Sequence, residues 1–362
     1  MTSQLTALTE IARRRGVDTL LLREPANLAW LLGCRYQVPN TLDSACFDVI
    51  VGGLDGDSPS VSVVCNNIEA PRLADVEFPP STKIDEHLVV PWWGERSTHF
   101  PTGPGVGADR RWPEARSVAS DLAAARRILN EQQAAQLETV CTDAAAATGR
   151  VARTLRPGLT EFEVAGRLSA ELLTAELEPV VLMVAADGRD RVHRHPLPTG
   201  RIGEQSFLLV CCARRHGLIA SVTRNVYVNC AGIDRAERRE RQAALLAVEQ
   251  VFLDNSVPGA TLGDIATAGT DAYPRNGFDA DEWTRHHQGG LSGWLPREFP
   301  AHRTSEETLA AGTVVAWNPS GDGCKVEDTC LVTADGPRPL VHDPNWPSVT
   351  VGGRTRPDLL WL

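Results

Sequence analysis

The sequence lacks three features that would point away from a soluble enzyme. It has no apolar run near the ~20 residues that a membrane-spanning helix needs, and residues 1–5 lack the basic start of a secretory signal. It has no basic excess, since the formal net charge is −10, which argues against nucleic-acid binding. Its nine cysteines form no CxxC pair, a pattern typical of reduced thiols. We therefore expect a cytoplasmic protein that binds neither membrane nor nucleic acid.

What is present is an ordinary globular composition with a visible internal boundary. The chain has 362 residues, 42% hydrophobic and 23% charged, enough for one large core or two domains. A stretch rich in Pro, Gly and Arg at residues 100–113, followed by an Ala-rich segment from Asn130, indicates a boundary. Helix and strand patterns alternate before it. We expect a smaller α/β domain at residues 1–125 and a second domain at residues 126–362.

The second domain contains an internal repeat. A Pro-Gly turn followed by a threonine helix cap occurs at residues 157–160 and again at 258–261. In each copy a long helix precedes the turn, and a second helix and three strands follow it. The predicted strands are 180–186, 206–212 and 217–228 in the first copy, and 285–293, 313–318 and 325–332 in the second. This duplicated ααβββ unit predicts an α+β domain of two pseudo-symmetric halves, with a site between them.

The stretch 285–298 combines glycines with ionisable and aromatic side chains. Glycines at such positions indicate close approach of the backbone to a ligand or to another strand. If the stretch is extended, His286 and His287 alternate faces, so at most one of them points into a site, and we favour His287. Trp294 and Trp317 are candidates for the cavity wall, although bulky aromatic residues more often belong to the core.

Several motifs, taken in order and spacing, resemble the creatinase/aminopeptidase P/prolidase family, also called peptidase family M24. The resemblance covers nearly the whole chain. It implies a creatinase-like N-terminal domain, a catalytic domain with the pita-bread fold, and a homodimer. The motifs that carry it are the Pro-Gly-Leu-Thr-Glu turn at 157–161, Gly217 with Thr223-Arg224, the glycine-rich stretch ending in Arg297-Glu298, Ala316-Trp317-Asn318-Pro319 and Val326-Glu327-Asp328-Thr329.

The same resemblance implies that most of the family's metal ligands are missing. The metalloenzymes of the family hold two divalent ions with two Asp, one His and two Glu. Carried over by position, these ligands fall on Val210 (or Cys211 after a slip of one residue), Ser221, Gly290, Asn318 and Glu327. Clustered carboxylates without ions would repel one another, so their joint replacement is coherent. We expect a site with no metal and no cofactor, in which Gly290 marks space for a substrate.

A rebuilt mononuclear metal site is the alternative. His193 and His195 share a face if their segment is extended, and Cys211 and Cys212 are further candidate ligands.

Creatinase, a member of this family that works without metal, suggests roles for three residues. The segment 191–202 resembles the creatinase segment that carries its catalytic histidine, which places His195 as general acid/base. Arg297 resembles the arginine of a Gly-Arg-Glu segment, and its guanidinium can bind a substrate carboxylate through two parallel hydrogen bonds. Glu327 would orient His195 or bind a substrate nitrogen. The plainer alternatives are ion pairs of Glu327 with Lys325 or Arg224, and of Arg297 with Glu298 or Glu327.

Further residues are candidates for substrate binding. Arg35 falls where the N-terminal domain of relatives reaches the site of a neighbouring subunit. The complete set of substrate-binding candidates is Arg35, His193, Arg224, His287, Asn318 and Trp294.

Three classes of function follow from these residues. The first is a metal-independent enzyme that hydrolyses a C–N bond in a small carboxylate, or that performs a related lyase step. The second is an Xaa-Pro peptidase-like metallohydrolase with a rebuilt metal site. The third is a non-catalytic binding protein, which we disfavour because the sequence shows no extra tail or basic surface and keeps polar residues at the site positions.

Overall fold

The computed structural model describes residues 2–36 and 45–362, and these form two compact units, Met1–Arg126 and Arg127–Leu362. The α-helices are α1 (Ser3–Arg15), α2 (Pro25–Leu32), α3 (Ala70–Arg72), α4 (Ala119–Arg126), α5 (Glu131–Ala152), α6 (Glu161–Thr174), α7 (Arg235–Asn255), α8 (Leu262–Thr270) and α9 (Ala272–Arg275). Short 3₁₀ helices span Arg96–His99, Arg189–Arg191 and Glu282–Arg285, and a π-helical turn spans Leu73–Glu77.

The strands of the N-terminal unit are β1 (Thr19–Leu22), β2 (Phe47–Gly52), β3 (Ser60–Asn66), β4 (Glu86–Val90), β5 (Val106–Ala108) and β6 (Arg116–Ser117). They form one mixed sheet in the order β4-β3-β2-β1-β5-β6. Continuous apolar runs such as β1, whose leucines are fully buried, place this sheet inside the unit. The predicted α/β character of this part of the chain is confirmed.

The strands of the second unit are β7 (Leu159–Thr160), β8 (Glu178–Ala186), β9 (Ile202–Gly203), β10 (Ser206–Arg215), β11 (Leu218–Tyr227), β12 (Gly289–Ser292), β13 (Phe299–Pro300), β14 (Val314–Trp317), β15 (Ser320–Gly321), β16 (Cys324–Lys325), β17 (Asp328–Thr333), β18 (Gly336–Pro339), β19 (Ser348–Val351), β20 (Arg354–Pro357) and β21 (Leu360–Trp361). The main sheet runs β13-β12-β14-β17-β11-β10-β8.

This sheet shows the predicted duplication. The first half supplies β8, β10 and β11, the second half supplies β12, β14 and β17, and the two halves meet where β11 pairs with β17 at Val222 and Asp328. The helices α5 and α6 belong to the first half, and α7 and α8 to the second. Both predicted caps form: the hydroxyls of Thr160 and Thr261 accept the amide protons of Glu163 and Asp264.

The core of the second half fixes the strands that flank the site. Trp317 of β14 is 1% exposed, stacks on Phe252 with ring centroids 4.8 Å apart, and donates its indole N–H to Ser256 Oγ at 2.9 Å. Trp317 is therefore a core residue, and it is not free to line a cavity. Among the described residues, no helix is both long enough and apolar enough to cross a membrane.

Candidate active site

Three histidine rings lie together in the second unit. His195 follows the 3₁₀ helix Arg189–Arg191, while His286 and His287 lie between the 3₁₀ helix Glu282–Arg285 and β12. The Nε2 atoms of His195 and His286 are 3.3 Å apart, and the His287 ring centroid is 4.4 Å from that of His286 and 5.5 Å from that of His195. The predicted acid/base residue therefore has two histidine neighbours.

The prediction that at most one of His286 and His287 faces a site is wrong. It assumed a strand from residue 285, but the strand starts only at Gly289, and the chain turns out of a 3₁₀ helix just before it. Strict alternation of faces does not hold there, so both rings reach His195. His286, which we did not predict as a site residue, is the most buried of the three, at 8% exposure.

The surroundings keep two of these rings neutral at physiological pH. Burial, followed by the charge of Lys325, lowers the pKa of His286 to about 2. Desolvation, followed by the charge of the Arg297 guanidinium, lowers the pKa of His287 to about 4, although His287 is an exposed residue. A neutral His286 carries one proton and one lone pair, so it can meet His195 Nε2 as donor or as acceptor.

Gln288 holds the backbone of this segment. Its side-chain amide donates to the carbonyl oxygens of His286 at 2.7 Å and Trp283 at 3.1 Å, and its Oε1 accepts the hydroxyl of Tyr273 at 2.7 Å. Tyr273 and Gln288 are both buried. Gln288 is thus a positioning residue that the sequence did not reveal, because its partners are distant or are backbone atoms.

A buried carboxylate between two cations lies beside the histidines. Glu327 is 2% exposed; one oxygen is 2.5 Å from the Lys325 ammonium and the other accepts from Arg297 Nη2 at 2.7 Å. Burial alone favours the protonated carboxyl, but the two cations outweigh it and lower the pKa of Glu327 to about 2. Both pairs were the plainer alternatives suggested by the sequence, and both are formed.

Lys325 is tied to the neighbouring strand as well as to Glu327. Its ammonium donates to Thr223 Oγ1 at 3.0 Å, and Thr223 is directly opposite Val210 in the β10–β11 pair. Since directly paired residues share a face of the sheet, Val210 and Thr223 lie on one face, and so do Cys212 and Ser221 two residues along. This face carries the implied family ligand positions Val210 and Ser221, so the alternative register on Cys211 is excluded.

These residues do not suit a pair of divalent ions. Of the implied ligand positions, Val210 and Gly290 have no donor atom in a side chain, and Ser221 and Asn318 offer only neutral oxygens. Glu327 is the one carboxylate, and each of its oxygens already binds a cation. Ser221 Oγ is 3.5 Å from the Cys212 thiol. The positive charge beside Glu327 comes from Lys325 and Arg297.

Gly290 does not provide space for a ligand, contrary to the sequence-based prediction. A Cβ atom there would lie 2.2 Å from the Phe299 carbonyl oxygen and 2.7 Å from the Ala301 nitrogen, because the backbone of β13 lies close against β12. Its φ of +140° also disfavours any side chain. The glycine is required by close approach of two strands.

Two buried polar groups at predicted positions have no hydrogen-bond partner among the described residues. They are Asn318 Oδ1 and Trp294 Nε1, in side chains 3% and 4% exposed. A buried polar atom usually has a partner, so these two are candidates for ligand contacts, as the sequence suggested.

Three other predicted residues lie outside the cluster. Arg224 is buried and pairs with Asp328 at 2.7 Å, and because it follows Thr223 in β11 it lies on the opposite face of the sheet. His193 is exposed and its amide only continues the preceding turn. Arg35 belongs to the N-terminal unit, where its guanidinium binds both oxygens of Glu77. A role of Arg35 at a partner's site stays a prediction.

The cysteines proposed for a rebuilt metal site are buried thiols. Burial raises the pKa of Cys211 to about 12 and that of Cys212 to about 11, so both stay protonated at neutral pH. Cys211 Sγ contacts Thr148 Oγ1 at 3.6 Å, under helix α5. Among the described residues, the group whose donor atoms could share one ion is His195, His286 and His287, with all donor atoms within 4.8 Å.

Comparison with solved structures gives the same fold over nearly the whole chain. A prolidase from Pyrococcus horikoshii OT3 is 16% identical with a TM-score of 0.75, covering 94% of this chain and 98% of that one. An Xaa-Pro dipeptidase from Bacillus anthracis is 15% identical with a TM-score of 0.73, covering 99% of both chains. The N-terminal domain of FACT complex subunit SPT16 from Cicer arietinum (chickpea) is 12% identical with a TM-score of 0.66, covering 94% and 96%.

These likenesses establish the pita-bread fold predicted from the sequence. No curated protein matches the sequence. The profile of metallopeptidase family M24 matches residues 135–334, more than half of the chain. The chain therefore belongs to metallopeptidase family M24, a family of hydrolases.

Proposed function

We propose that this chain is a metal-independent hydrolase that cleaves a C–N bond in a small substrate bearing a carboxylate. The observation that supports this most is the cationic triad, which we define as Lys325, Glu327 and Arg297, lying against the three histidines. The triad puts two positive charges beside Glu327, the one carboxylate that remains at a position where the resemblance implies a metal ligand. The three groups carry a surplus of one positive charge, which suits an anionic substrate.

Arg297 is the proposed anchor for the substrate carboxylate. Its guanidinium has five N–H donors, of which one goes to Glu327 and one to the Ala316 carbonyl oxygen in the described contacts. Its side chain is 19% exposed, whereas that of Lys325 is 4% exposed. Lys325 is therefore too buried to contact the substrate, and its role is to keep Glu327 ionised and the triad positively charged.

His195 is the proposed general acid/base. It is the histidine that the resemblance assigns to this role, it contacts both other rings, and it is exposed, so a substrate can reach it. A protonated His195 can donate Nε2–H to the lone pair of the neutral His286, which holds the ring while it carries a proton. Glu327 has both oxygens engaged by cations, so it acts through Arg297 and Lys325 rather than on the His195 tautomer.

In the proposed reaction, His195 carries one proton from the attacking water to the departing nitrogen. Water attacks the electrophilic carbon of the C–N bond while His195 accepts a water proton. The C–N bond breaks, the oxygen stays on carbon, and the proton passes from His195 to the departing nitrogen. Such general acid–base assistance contributes about 10²–10⁴-fold to a rate. The same proton transfer at a C–H bond would give a lyase, which is the open alternative within this proposal.

Two other functions are weighed against this one. The fold likeness to prolidases and Xaa-Pro dipeptidases favours a peptidase that uses a rebuilt metal site, and the three histidines would then be its ligands. The likeness to a domain of a complex subunit, SPT16, is the observation behind the other candidate, a non-catalytic binding module. Substrate contact by Asn318, a homodimeric assembly and a cytoplasmic location stay predictions under each of them.

A substrate screen tests the proposal. Chelator-treated, dialysed protein is offered N-acyl, N-carbamoyl and N-amidino amino acids together with Xaa-Pro dipeptides, and ammonia or amine release is measured. We expect turnover of a carboxylate-bearing C–N substrate that falls at least about 100-fold in His195→Ala. Turnover of Xaa-Pro dipeptides only after metal addition would favour the peptidase. If none of these compounds is turned over but one of them binds to the protein, the result would favour the binding module.

A further inference from the structure

The spacing of the three histidine rings also matches the spacing of ligands around a metal ion. In a tetrahedral site with metal–nitrogen bonds of 2.0–2.1 Å, two ligand nitrogens lie about 3.3–3.4 Å apart. The Nε2 atoms of His195 and His286 are 3.3 Å apart. One nitrogen of His287 also lies within 4.8 Å of the other two donor atoms, so a small rotation of an exposed ring completes three ligands.

We infer that His195, His286 and His287 form a mononuclear site for a late first-row transition ion, such as Cu²⁺, Zn²⁺ or Ni²⁺. This site shares none of the positions where the resemblance places the family's ligands. It leaves a fourth position on the ion for water or a substrate carboxylate. The buried His286 supplies the fixed ligand, because Gln288 holds its backbone carbonyl.

The choice of ion follows from the donors and the neighbouring charges. The donors are three imidazole nitrogens, which suit Cu²⁺, Ni²⁺ and Zn²⁺, whereas Mg²⁺, Ca²⁺ and Mn²⁺ prefer carboxylate and carbonyl oxygens. Both Glu327 oxygens are engaged by Lys325 and Arg297, so that carboxylate is not free to join the site. The surplus positive charge of the cationic triad weakens the binding of every divalent cation. The site should therefore bind only those ions that have a high affinity for imidazole.

The ion has a route to the site. His195 and His287 are exposed, and only His286 is buried. The site can therefore exchange its ion with solvent without opening of the core.

Occupation of the site would inhibit the reaction proposed above. An ion bound to His195 takes the lone pair that would accept a proton from water, so the histidine stops acting as a base. This consequence rests on the proposed function, while the binding of the ion does not.

Direct titration of the chelator-treated full-length protein tests the site. With Cu²⁺ we expect one ion per chain and an electron paramagnetic resonance spectrum with splitting from several nitrogen nuclei; with Zn²⁺ we expect saturable heat at one equivalent. His287→Ala should weaken binding at least about tenfold, the scale of even an outer-shell change at a metal site. His286→Ala should do the same, and because it is buried its folding is checked by circular dichroism.

His193→Ala is the matched control, since His193 is two residues from His195 and exposed but lies outside the cluster. It should bind as wild type does. Unchanged affinity in His287→Ala, or Mg²⁺ binding as tight as Zn²⁺ binding, would overturn the inference. Activation of hydrolysis by Zn²⁺ would overturn the inhibitory consequence. Binding that meets these expectations in a protein without any hydrolytic activity would leave the metal site standing and remove the proposed function.

Discussion

The ammonium of Lys325 lies 2.5 Å from the carboxylate of Glu327, in a pair whose two side chains are 4% and 3% exposed. Glu327 is the position that the family resemblance assigns to the last metal-ligating glutamate. A lysine two residues earlier, joined by Arg297 from across the sheet, thus supplies positive charge to this carboxylate. Breaking such a buried pair costs free energy, because the remaining charge is still desolvated but no longer has a partner.

Removing the lysine should therefore destabilise the fold. Lys325→Met leaves Glu327 buried with one cation instead of two, which raises the pKa of that carboxyl toward its ordinary range. Breaking a buried pair costs on the order of 3–5 kcal/mol, and the retained Arg297 should keep the loss near the lower end. Urea unfolding at pH 7 measures it. Lys83→Met is the control, since Lys83 pairs with Asp85 at the surface and should lose less than about 1 kcal/mol.

Stability should fall in acid over a window set by Glu327. The folded pKa of this group, about 2, lies below its unfolded value, so the unfolded chain takes up a proton first. The contribution of Glu327 is present above about pH 4.3 and is lost as the pH falls toward 2. Unfolding free energies measured between pH 5 and pH 2 should show this slope, about 1.4 kcal/mol per pH unit for one proton. Glu327→Gln should lack it, and an equal slope in that variant would contradict the assignment.

His286 should make the free energy of unfolding fall in a second pH range, which lies at higher pH than the range set by Glu327. Its folded pKa is also depressed, to about 2, so the unfolded histidine binds a proton that the folded one excludes. Its contribution is complete above about pH 6.5 and is lost as the pH falls below that value. His286→Asn should reduce the slope of the stability profile between pH 6.5 and pH 5 by the share of one proton, while the share of His287, whose pKa is lowered to about 4, and the Glu327 window below pH 4.3 persist. His216→Asn, at an exposed turn outside the cluster, is the matched control substitution.

Gly290 should tolerate no side chain. Gly290→Ala places a methyl group 2.2 Å from a backbone oxygen at a φ of +140°. Strain and overpacking together should cost about 3 kcal/mol or more, measured as a drop in Tm. Gly336→Ala is a matched control with a φ of +107° and open space around the added atom, and should lose only the strain. Gly290→His should consequently fail to restore a metal ligand; a folded Gly290→His protein that binds Mn²⁺ would disprove this explanation of the glycine.

Arg297 should control affinity for the substrate carboxylate. Arg297→Lys keeps the charge but loses the planar pair of donors. Hydrogen bonds to charged groups contribute about 1.5–3 kcal/mol, so we expect KM to rise at least about tenfold with a smaller change in kcat. The same substrate with its carboxylate converted to an amide should show no such difference between wild type and variant. An equal loss for both compounds would place Arg297 in a structural role only.

The sequence predicted the fold well because its signals were local. Threonine caps at Thr160 and Thr261, apolar periodicity and the Pro-Gly turns each depend on a few neighbouring residues, and the repeat doubled the signal. The site was harder. His286 was missed because the four residues that precede β12, 285–288, were taken as part of the strand, which imposed a wrong alternation. Gly290 was misread because the close neighbour that requires it, the backbone of β13, comes later in the chain.

The charge pattern of the site was only partly visible in the sequence. Lys325 and Glu327 are two residues apart, so a shared face could be expected, and their pair was one of the alternatives. The engagement of the other Glu327 oxygen by Arg297 depends on sheet order, which no local pattern reveals. In the sequence, Arg224 looked equally suitable as a substrate-binding residue. Adjacent residues of a strand face opposite sides of the sheet, however, and the side chain of Arg224 pairs with Asp328 instead.

Metal analysis combined with activity is the most direct test of the central claim that this M24 chain works without metal. Protein is stripped with a chelator, its metal content is determined by mass spectrometry, and turnover of the substrate found in the screen is measured before and after addition of Mn²⁺ or Zn²⁺. We predict full turnover with far less than one metal ion per chain, and no gain on addition of either ion. Turnover that disappears on chelation and returns with Mn²⁺ or Zn²⁺ would contradict the account.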